Sequence, residues 1–324
     1  MVASASEPRP LVRDVLLRDG WTLRLQATTP LDYEDIKAFY DGLSQESRYL
    51  RFHGSGRTDI AARADAEASG VDRLALIGRH DGRVVAVAGY EGLREPGVAE
   101  AAFAVADDDQ RRGIGMRMVE QLAAIAASRG IRRFDAEVLA SNHPMLGVFA
   151  HAGFAVRREG SFGELTVSLD ITPTKAVLER IDERDHFASI ASLRAIFAPS
   201  SLAVAGAAAA PGNIGRAVLA SIIAGGFQGI VRPVNRAGGV VCSMKAARSL
   251  GELEDAPELV IIAAAGDEVL EFAAEAAATG VRALLVLPAG SEEDAETLLA
   301  REAGLLEIVR GGGLRIVGPS SFGG

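Results

Sequence analysis

The chain has 324 residues, which predicts two domains because a domain usually has about 100 to 200 residues. Hydrophobic residues make up 48% of the sequence and charged residues 24%, so the composition excludes wholesale disorder. The formal net charge of −9 argues against a nucleic-acid or anionic-membrane partner and favours a basic one.

The cysteine and histidine content argues against a metal-binding protein. Cys242 is the only cysteine, so no intrachain disulfide and no cysteine-based zinc site can form. The five histidines show no metal-ligand spacing, and we expect no bound metal. The first residues lack the order of a signal peptide, and no apolar run approaches the roughly 18 residues of a membrane span, so we expect a cytoplasmic protein.

Residues 12–172 mix strands and helices in an α+β order. Asp19 and Gly20, flanked by alternating apolar residues, predict a β-hairpin. Residues 31–43 place their apolar side chains near one face, which predicts a helix. After a polar stretch come two strands joined by a tight turn, and then a strand over residues 99–106. The predicted order is β-α-β-β-β.

The second half of the chain follows a different pattern. Residues 173–197 are charged at the start and apolar at the end, which predicts a helical linker. Residues 198–324 then alternate apolar strands with helices, which is typical of a parallel sheet covered by helices on both faces. We therefore predict an α+β domain over residues 12–172, this linker, and a Rossmann-like α/β domain over residues 198–324.

A glycine-containing loop connects the strand at 99–106 to an amphipathic helix. Glycines at the start of a helix let the backbone approach a ligand, and the free N–H groups there suit a pyrophosphate. Taken alone, the pattern fits a tight turn equally well. The residues of this candidate cradle are Gln110, Arg111, Arg112, Gly113, Ile114 and Gly115.

The order and spacing of these residues resemble the GNAT acetyltransferase superfamily, whose acetyl-CoA site has the pattern Gln/Arg-x-x-Gly-x-Gly/Ala after a strand. Further along, SNHPMLGVFAHAGF resembles a second family segment, in which an Asn, here Asn142, opens a helix that ends in Gly-Phe. The stretch SQESRYLRF, residues 44–52, is similar to a segment of bacterial protein-lysine acetyltransferases. The resemblance covers residues 12–172 and implies a GNAT fold with acetyl-CoA as cosubstrate.

The resemblance also implies where acetyl-CoA binds. Its pyrophosphate would lie on the cradle, and its pantetheine would lie in a gap between the strands at 99–106 and 133–139. Asn142 would lie near the CoA arm, and Phe103, Val105 and Phe149 would line the CoA side. Phe149 stands where many family members have a Tyr that protonates the departing thiolate, so water or the proton of the amine must reach the sulfur here.

Glu100 is the candidate catalytic residue. It alternates with Ala102 and Ala104 on one face of its strand, whereas Phe103 and Val105 point to the other. Acetyl transfer requires a neutral amine, yet a lysine is almost entirely protonated near pH 7, so a nearby carboxylate would help. From the residues alone, a solvated carboxylate is the simpler interpretation. The resemblance implies a general base, because related protein acetyltransferases have a Glu at this strand position.

Three glycines, Gly206, Gly212 and Gly215, lie at a strand-to-helix turn of the second domain. Their spacing is not Gly-x-Gly-x-x-Gly, and no acidic residue follows the next strand, which disfavours NAD. With the later PVN, which ends at Asn235, the stretch resembles the CoA-binding domain of nucleoside-diphosphate-forming acyl-CoA synthetases. The resemblance implies CoA binding through Gly206, Gly215 and Asn235.

This second domain departs from the synthetase pattern in several places. Ala208 replaces a serine, Arg236 replaces a proline, and residues 264–266 replace a Val-Pro pair. The chain ends where the synthetases continue into their phosphohistidine and ATP-grasp domains, so we expect a shortened domain without ligase activity. Either it senses acyl-CoA, or it is a ligand-free α/β remnant.

Together, the two resemblances imply an N-acetyltransferase that moves acetyl from acetyl-CoA to a protein lysine, with a CoA-binding-like regulatory domain. Fusions of this type are a known class of bacterial protein acetyltransferase, and the resemblance implies acyl-CoA synthetases as acceptors. Two alternatives stay open: an N-acetyltransferase of small amines, and a non-catalytic acyl-CoA sensor.

Overall fold

The computed structural model describes residues 12–54, 57–161, 163–287, 295–312 and 314–318. The chain divides into two units, one comprising Met1–Arg18 and Thr22–Ala188 and the other Asp19–Trp21 and Ser189–Gly324. A helix over Lys175–Phe197 occupies most of the stretch that was predicted to link two domains. The predicted boundaries at residues 172 and 198 stay predictions.

The first unit is built on an eight-stranded sheet. Its strands are β1 (Val12–Leu16), β2 (Thr22–Ala27), β3 (Arg73–His80), β4 (Arg83–Gly92), β5 (Val98–Val105), β6 (Arg133–Leu139), β7 (Ala155–Ser161) and β8 (Glu164–Asp170). Its helices are α1 (Tyr33–Gly42), α2 (Gln45–Phe52), α3 (Thr58–Ala66), α4 (Ile114–Ser128), α5 (His143–His151) and the first part of α6 (Lys175–Phe197). The strand order is β1-β2-β3-β4-β5-β6-β8-β7, and neighbouring strands are antiparallel except β5 and β6, which are parallel.

Alternating side chains divide the core of this unit between the two faces of the sheet. On one face, Ile36 and Tyr40 of α1 share a buried cluster with Ala104 of β5. On the other, the ring centroids of Phe103 in β5 and Phe149 in α5 lie 5.8 Å apart. These are termed the α1–α3 face and the α4–α5 face, and adjacent residues of β5 point to opposite ones.

The second unit contains a parallel five-stranded sheet of order β10-β9-β13-β14-β15. Its strands are β9 (Ser201–Ala205), β10 (Ile230–Val234), β13 (Leu259–Ile262), β14 (Ala283–Val286) and β15 (Arg315–Val317), and β11 (Val240–Val241) pairs with β12 (Met244–Lys245) as a separate hairpin. The helices are α7 (Ile214–Ala224), α8 (Glu268–Thr279) and α9 (Ala295–Gly312). Val204 packs with Leu219 of α7 in one buried cluster, and Ala205 packs with Phe272 of α8 in another, so helices cover both faces.

The predicted fold classes, α+β followed by Rossmann-like α/β, are confirmed. The predicted helix at 31–43 is confirmed as α1, which a 3₁₀ turn at Pro30–Asp32 precedes, but the predicted order of elements is wrong. The polar stretch after it contains α2 and α3, which the predicted order lacks. The buried side chains of α3 are Ala62 and Ala66, which are too small to give a visible apolar pattern. Within the predicted domain at 198–324, residues 288–294, 313 and 319–324 lie outside the described residues.

Neither a membrane-spanning helix nor a metal-binding cluster occurs in the described parts of the chain. No helix there combines the length and the apolar character needed to cross a bilayer. In the same ranges, no group of three or more His, Cys, Asp or Glu side chains is placed to hold a metal ion.

Candidate active site

A gap opens between β5 and β6 on the carboxyl side of Glu100. β5 pairs with β4 as far as Val105, but it pairs with β6 only over Val98–Glu100, opposite Arg133–Asp135. β6 continues to Leu139 alongside β8. The β5 residues after Glu100 therefore have backbone groups on one side that none of the described strands pairs with, and a chain of amides such as pantetheine could pair with them.

Glu100 lies at the mouth of this gap, on the α1–α3 face, and its side chain is exposed. Its cross-strand neighbours are also carboxylates, Glu91 on β4 and Asp135 on β6. Glu91 lies 3.9 Å from the guanidinium of Arg73, and Asp135 lies 3.1 Å from that of Arg133. Within the described ranges Glu100 has no hydrogen bond or ion pair, so its carboxylate is available to a substrate.

The candidate cradle follows β5 and leads into α4. Gly113 is the N-cap of α4 with φ 91°, and Arg111 also has a positive φ of 63°. Nη2 of Arg18 donates to the carbonyl oxygen of Arg111 at 3.2 Å, which supports this conformation. Because the first N–H groups of a helix have no intrahelical acceptor, those after Gly113 are free to bind an anion.

Some cradle side chains are committed to the protein itself. Asp109 is buried and accepts hydrogen bonds from Nη1 of Arg112 at 3.0 Å and from Nη2 of Arg83 at 2.7 Å. Gln110 donates from Nε2 to the carbonyl oxygen of Val105 at 3.3 Å. Arg112 and Gln110 therefore shape the loop, whereas the exposed side chain of Arg111 is the better candidate to meet a phosphate.

The start of α4 packs closely on the strand and on α5. Ile114 is buried, with 1% of its surface exposed. A Cβ built on Gly115 would lie 3.6 Å from Cγ2 of Val148 and 3.9 Å from Cγ2 of Val105. The small residue brings the helix terminus close to the gap without a clash.

The α5 residues singled out from the sequence have clear structural roles. Asn142 is the N-cap of α5, and its Oδ1 accepts a hydrogen bond from the N–H of Met145 at 3.1 Å. Phe149 is fully buried and contacts Phe103 edge to face. Asn142 thus orients the helix that borders the gap, and Phe149 belongs to the core of the α4–α5 face.

An ion-pair cluster that the sequence analysis missed anchors α4. Glu120 is 1% exposed, and its Oε2 lies 3.1 Å from Nη1 of Arg117, which is 5% exposed. Arg117 also pairs with Asp185 at 2.8 Å, and Arg184 pairs with Glu120 at 2.5 Å. The i, i+3 spacing of Arg117 and Glu120 was the available signal, but the partners from α6 are distant in the sequence.

In the second unit, the predicted CoA-binding glycines pack directly against other parts of the protein. Gly206 has φ 84°, and a Cβ there would lie 2.5 Å from the carbonyl oxygen of Ala263. A Cβ on Gly215 would lie 2.8 Å from Cα of Ala207. These two glycines are explained by close packing of the turn against β13 and α7.

Asn213 closes the same turn. Its Oδ1 accepts hydrogen bonds from the N–H groups of Arg216 at 2.7 Å and Ala208 at 2.9 Å, and its Nδ2 donates to the carbonyl oxygen of Gly206 at 3.0 Å. An asparagine side chain therefore takes one donor in the first turn of α7 and one in the loop before it, which an anion could otherwise use.

The residues after β10 are also held internally. Oδ1 of Asn235 accepts a hydrogen bond from the N–H of Ala237 at 3.0 Å, which closes its own turn. Arg236 pairs with Glu271 at 3.3 Å and with Glu275, and its guanidinium carbon lies 4.5 Å from the ring centroid of Phe272. This arginine fixes the turn to α8.

Two family models match the chain. Residues 36–154 match the acetyltransferase (GNAT) family, and residues 200–323 match the CoA binding domain. The first part of the chain therefore contains a GNAT acetyltransferase domain, and the second part contains a CoA-binding domain. Both resemblances read from the sequence are confirmed.

Individual relatives match parts of the chain. Acetyltransferase Pat of Mycolicibacterium smegmatis is 36% identical over 80 residues, 25% of this chain and 24% of that protein. Acetate–CoA ligase [ADP-forming] I subunit alpha of Pyrococcus furiosus is 35% identical over 136 residues, 41% of this chain and 29% of that protein. The solved GNAT domain of S. lividans PAT is 34% identical, with a TM-score of 0.46, covering 49% of this chain and 96% of that one. The chain spans less than a third of the length of the acetyltransferase Pat and of the acetate–CoA ligase subunit.

Proposed function

We propose that the protein is an acetyl-CoA-dependent N-acetyltransferase whose acceptor is a lysine side chain of another protein, such as an acyl-CoA synthetase. The observation that carries the proposal is the placement of Glu100. Its exposed, unpaired carboxylate stands where β5 and β6 separate, on the face opposite to α4 and α5.

Acetyl-CoA would use the α4–α5 side of the first unit. The first-turn N–H groups of α4 and the side chain of Arg111 suit its diphosphate, because both carry positive charge at an exposed loop. The open edge of β5 after Glu100 suits the pantetheine amides. This arrangement brings the thioester to the gap beside Glu100.

Glu100 would act on the incoming amine. With a usual pKa of about 10.4, a lysine at pH 7 is neutral in roughly one molecule in 2,500, so removal of its proton is a large part of the barrier. Glu100 takes this proton directly or through one water. The amine nitrogen then bonds to the thioester carbon and its second proton is lost as the C–S bond breaks, which yields the amide and the CoA thiolate.

The thiolate leaves without help from a tyrosine hydroxyl. Phe149 occupies that place and is fully buried. Because a thiol has a usual pKa of about 8.5, its anion is a tolerable leaving group, and water or the proton released by the amine can neutralise it. We therefore expect a working enzyme despite the missing hydroxyl.

A cationic protein acceptor suits the surroundings of Glu100. Its neighbours Glu91 and Asp135 each pair with an arginine, so Glu100 keeps an uncompensated negative charge beside them, and the whole chain carries a net charge of −9. Such a field favours a lysine in a basic surface over a neutral small amine, in a salt-dependent way. The similarity to the acetyltransferase Pat and the segment at 44–52 support the same acceptor class.

The second unit would regulate the first by responding to CoA or an acyl-CoA. Its family supports this role, whereas Asn213 occupies the backbone donors at its glycine turn. A ligand at this turn would have to displace the side chain of Asn213 or bind beside it.

The proposal is tested by mass spectrometry of acetyl transfer from acetyl-CoA. The purified chain is incubated with an acyl-CoA synthetase and, in parallel, with a panel of small amines. Acetyl-lysine on the synthetase that requires both acetyl-CoA and the chain is the expected result. Transfer to small amines alone would replace the protein acceptor with a small one. Binding of acetyl-CoA without any transfer would favour a sensor and contradict the proposed enzyme.

A further inference from the structure

Asp107 joins the turn after β5 to helix α2. Its Oδ1 accepts hydrogen bonds from the hydroxyls of Ser44 at 2.7 Å and Ser47 at 2.6 Å. Its Oδ2 accepts another from the backbone N–H of Ser44 at 2.9 Å. Hydrogen bonds to an ionised acceptor are roughly twice as strong as neutral ones, so three of them fix the carboxylate in one orientation.

Both serines belong to the first turn of α2. Ser44 is its N-cap, and the Ser44 hydroxyl oxygen accepts a hydrogen bond from the N–H of Ser47 at 3.1 Å. Partial burial raises the pKa of the Asp107 carboxyl, but the hydrogen bonds from both serines lower it below the usual value. The residue is therefore ionised at neutral pH, and its charge also suits the positive end of the helix.

Gln110 strengthens the same connection. Its Nε2 donates to the hydroxyl oxygen of Ser47 at 3.4 Å as well as to the carbonyl oxygen of Val105. Gln110 is the first residue of the candidate cradle. The loop that would receive the diphosphate thus holds the first turn of α2 at two points.

Helix α2 itself lies on the α1–α3 face, to which Glu100 points. Its last residue, Phe52, packs against Tyr40 with ring centroids 5.2 Å apart, beside the cluster that contains Ala104. The donor loop and a helix on the acceptor side of the sheet are therefore linked through Asp107.

We propose that Asp107, acting through Ser44 and Ser47, is a positioning residue that couples acetyl-CoA binding to acceptor binding. The inference rests on the proposed function. Acetyl-CoA on the cradle holds the loop and Asp107 in place, and Asp107 holds α2 beside the acceptor. The acceptor then binds more tightly to the acetyl-CoA complex than to the free enzyme, and couplings of this kind usually amount to about 5- to 150-fold.

The test compares the wild type with Asp107→Ala, Ser47→Ala and the matched control Asp108→Ala. Asp108 is the next residue, is exposed, and has no hydrogen bond or ion pair within the described ranges. Asp107→Ala and Asp108→Ala therefore remove the same charge from the same turn. Hydrogen–deuterium exchange of residues 45–52 is measured with and without acetyl-CoA, and KM for the lysine acceptor is measured at saturating acetyl-CoA.

We expect acetyl-CoA to protect residues 45–52 from exchange in the wild type and in Asp108→Ala, but not in Asp107→Ala. The KM for the acceptor should rise by about fivefold or more in Asp107→Ala, with kcat changed less. Ser47→Ala, which keeps the carboxylate and the N-cap, should shift both readouts in the same direction by a smaller amount.

Each outcome separates the inference from the function on which it rests. If Asp107→Ala and Asp108→Ala behave alike, or if bound acetyl-CoA leaves residues 45–52 unprotected in the wild type, the inference is overturned and acetyl transfer is untouched. If the wild type protects α2 but acetylates no amine, the proposed function fails and the link between loop and helix stands. If the wild type does not bind acetyl-CoA, both are overturned.

Discussion

Both units contain a strand-to-helix turn whose helix begins with Ile-Gly, Ile114-Gly115 in α4 and Ile214-Gly215 in α7. In the first, a Cβ on the glycine would lie 3.6 Å from its nearest neighbour, which is an ordinary contact. In the second, the distance is 2.8 Å to the backbone, which is a clash. The glycine of the same dipeptide therefore leaves room beside the loop in one unit and allows close backbone packing in the other.

The backbone donors differ in the same way. In the second unit, the side chain of Asn213 accepts hydrogen bonds from the N–H of Arg216 in the first turn of α7 and from the N–H of Ala208 in the turn before it. In the first, the N-cap is Gly113, which has no side chain to occupy the N–H groups of α4. A glycine pattern shows that something approaches the backbone, but only the structure shows whether a ligand or the protein does.

The largest effect that we predict is on stability, when alanine replaces the two equivalent glycines. Gly215→Ala should destabilise its unit by about 3 kcal/mol, because backbone atoms must move to admit the methyl group. Gly115→Ala should be neutral or stabilising by up to about 1 kcal/mol, because alanine favours a helix over glycine. Urea unfolding measures both. Equal losses for the two variants would show that the two turns are packed alike.

A second pair of variants compares the contributions of the two N-cap asparagines to stability. Asn213→Ala should lower the free energy of unfolding by about 2 kcal/mol and Asn142→Ala by about 1 kcal/mol, because a cap is worth about 0.5 to 2 kcal/mol and Asn213 makes three hydrogen bonds against one. Thermal unfolding of each variant checks the order. A larger loss for Asn142→Ala would contradict the expectation that the three hydrogen bonds of Asn213 stabilise the protein more than the single one of Asn142.

The smallest effects should come from two residues with left-handed backbones, Arg111 with φ 63° and Ser243 with φ 65°. Replacement by glycine relieves about 1 to 2 kcal/mol of strain and costs about 0.5 to 1 kcal/mol of chain entropy, so both variants should be slightly more stable. Arg111→Gly should also weaken acetyl-CoA binding by about tenfold, through loss of a charged contact.

Titration calorimetry with acetyl-CoA distinguishes the two replacements, since Ser243→Gly should bind as the wild type does. If Arg111→Gly also binds normally, the exposed arginine of the cradle does not contact the diphosphate, and its strained backbone needs another explanation.

Features that depend on local patterns could be predicted from the sequence. The period of apolar residues in strands and helices was sufficient to predict both fold classes. The alternation of side chains along a strand correctly predicted that Glu100 and Phe103 lie on opposite faces of β5. The resemblance to the GNAT family also implied the gap between β5 and β6.

Features that depend on contacts distant in the sequence could not be predicted. Asp107 and Ser44 are 63 positions apart, and the resemblance of the segment at 44–52 did not indicate that it contacts the turn after β5. Arg112 resembled a phosphate ligand until buried Asp109, three residues earlier, was found to engage it. The clash at Gly215 comes from the path of the whole turn, which residue type alone does not specify. The roles of individual site residues in binding and catalysis stay predictions.

The central claim is that Glu100 removes the proton of a lysine acceptor, and Glu100→Gln tests it most directly. Steady-state acetylation is measured with Glu91→Gln as the matched control, because this neighbouring carboxylate lies 3.9 Å from Arg73 and faces the same side. Glu100→Gln should lower kcat by about 10²- to 10⁴-fold at unchanged affinity for acetyl-CoA. Glu91→Gln should lower it by about fivefold or less, because an exposed ion pair contributes about 1 kcal/mol at most. Equal rates for Glu100→Gln and the wild type would contradict the account.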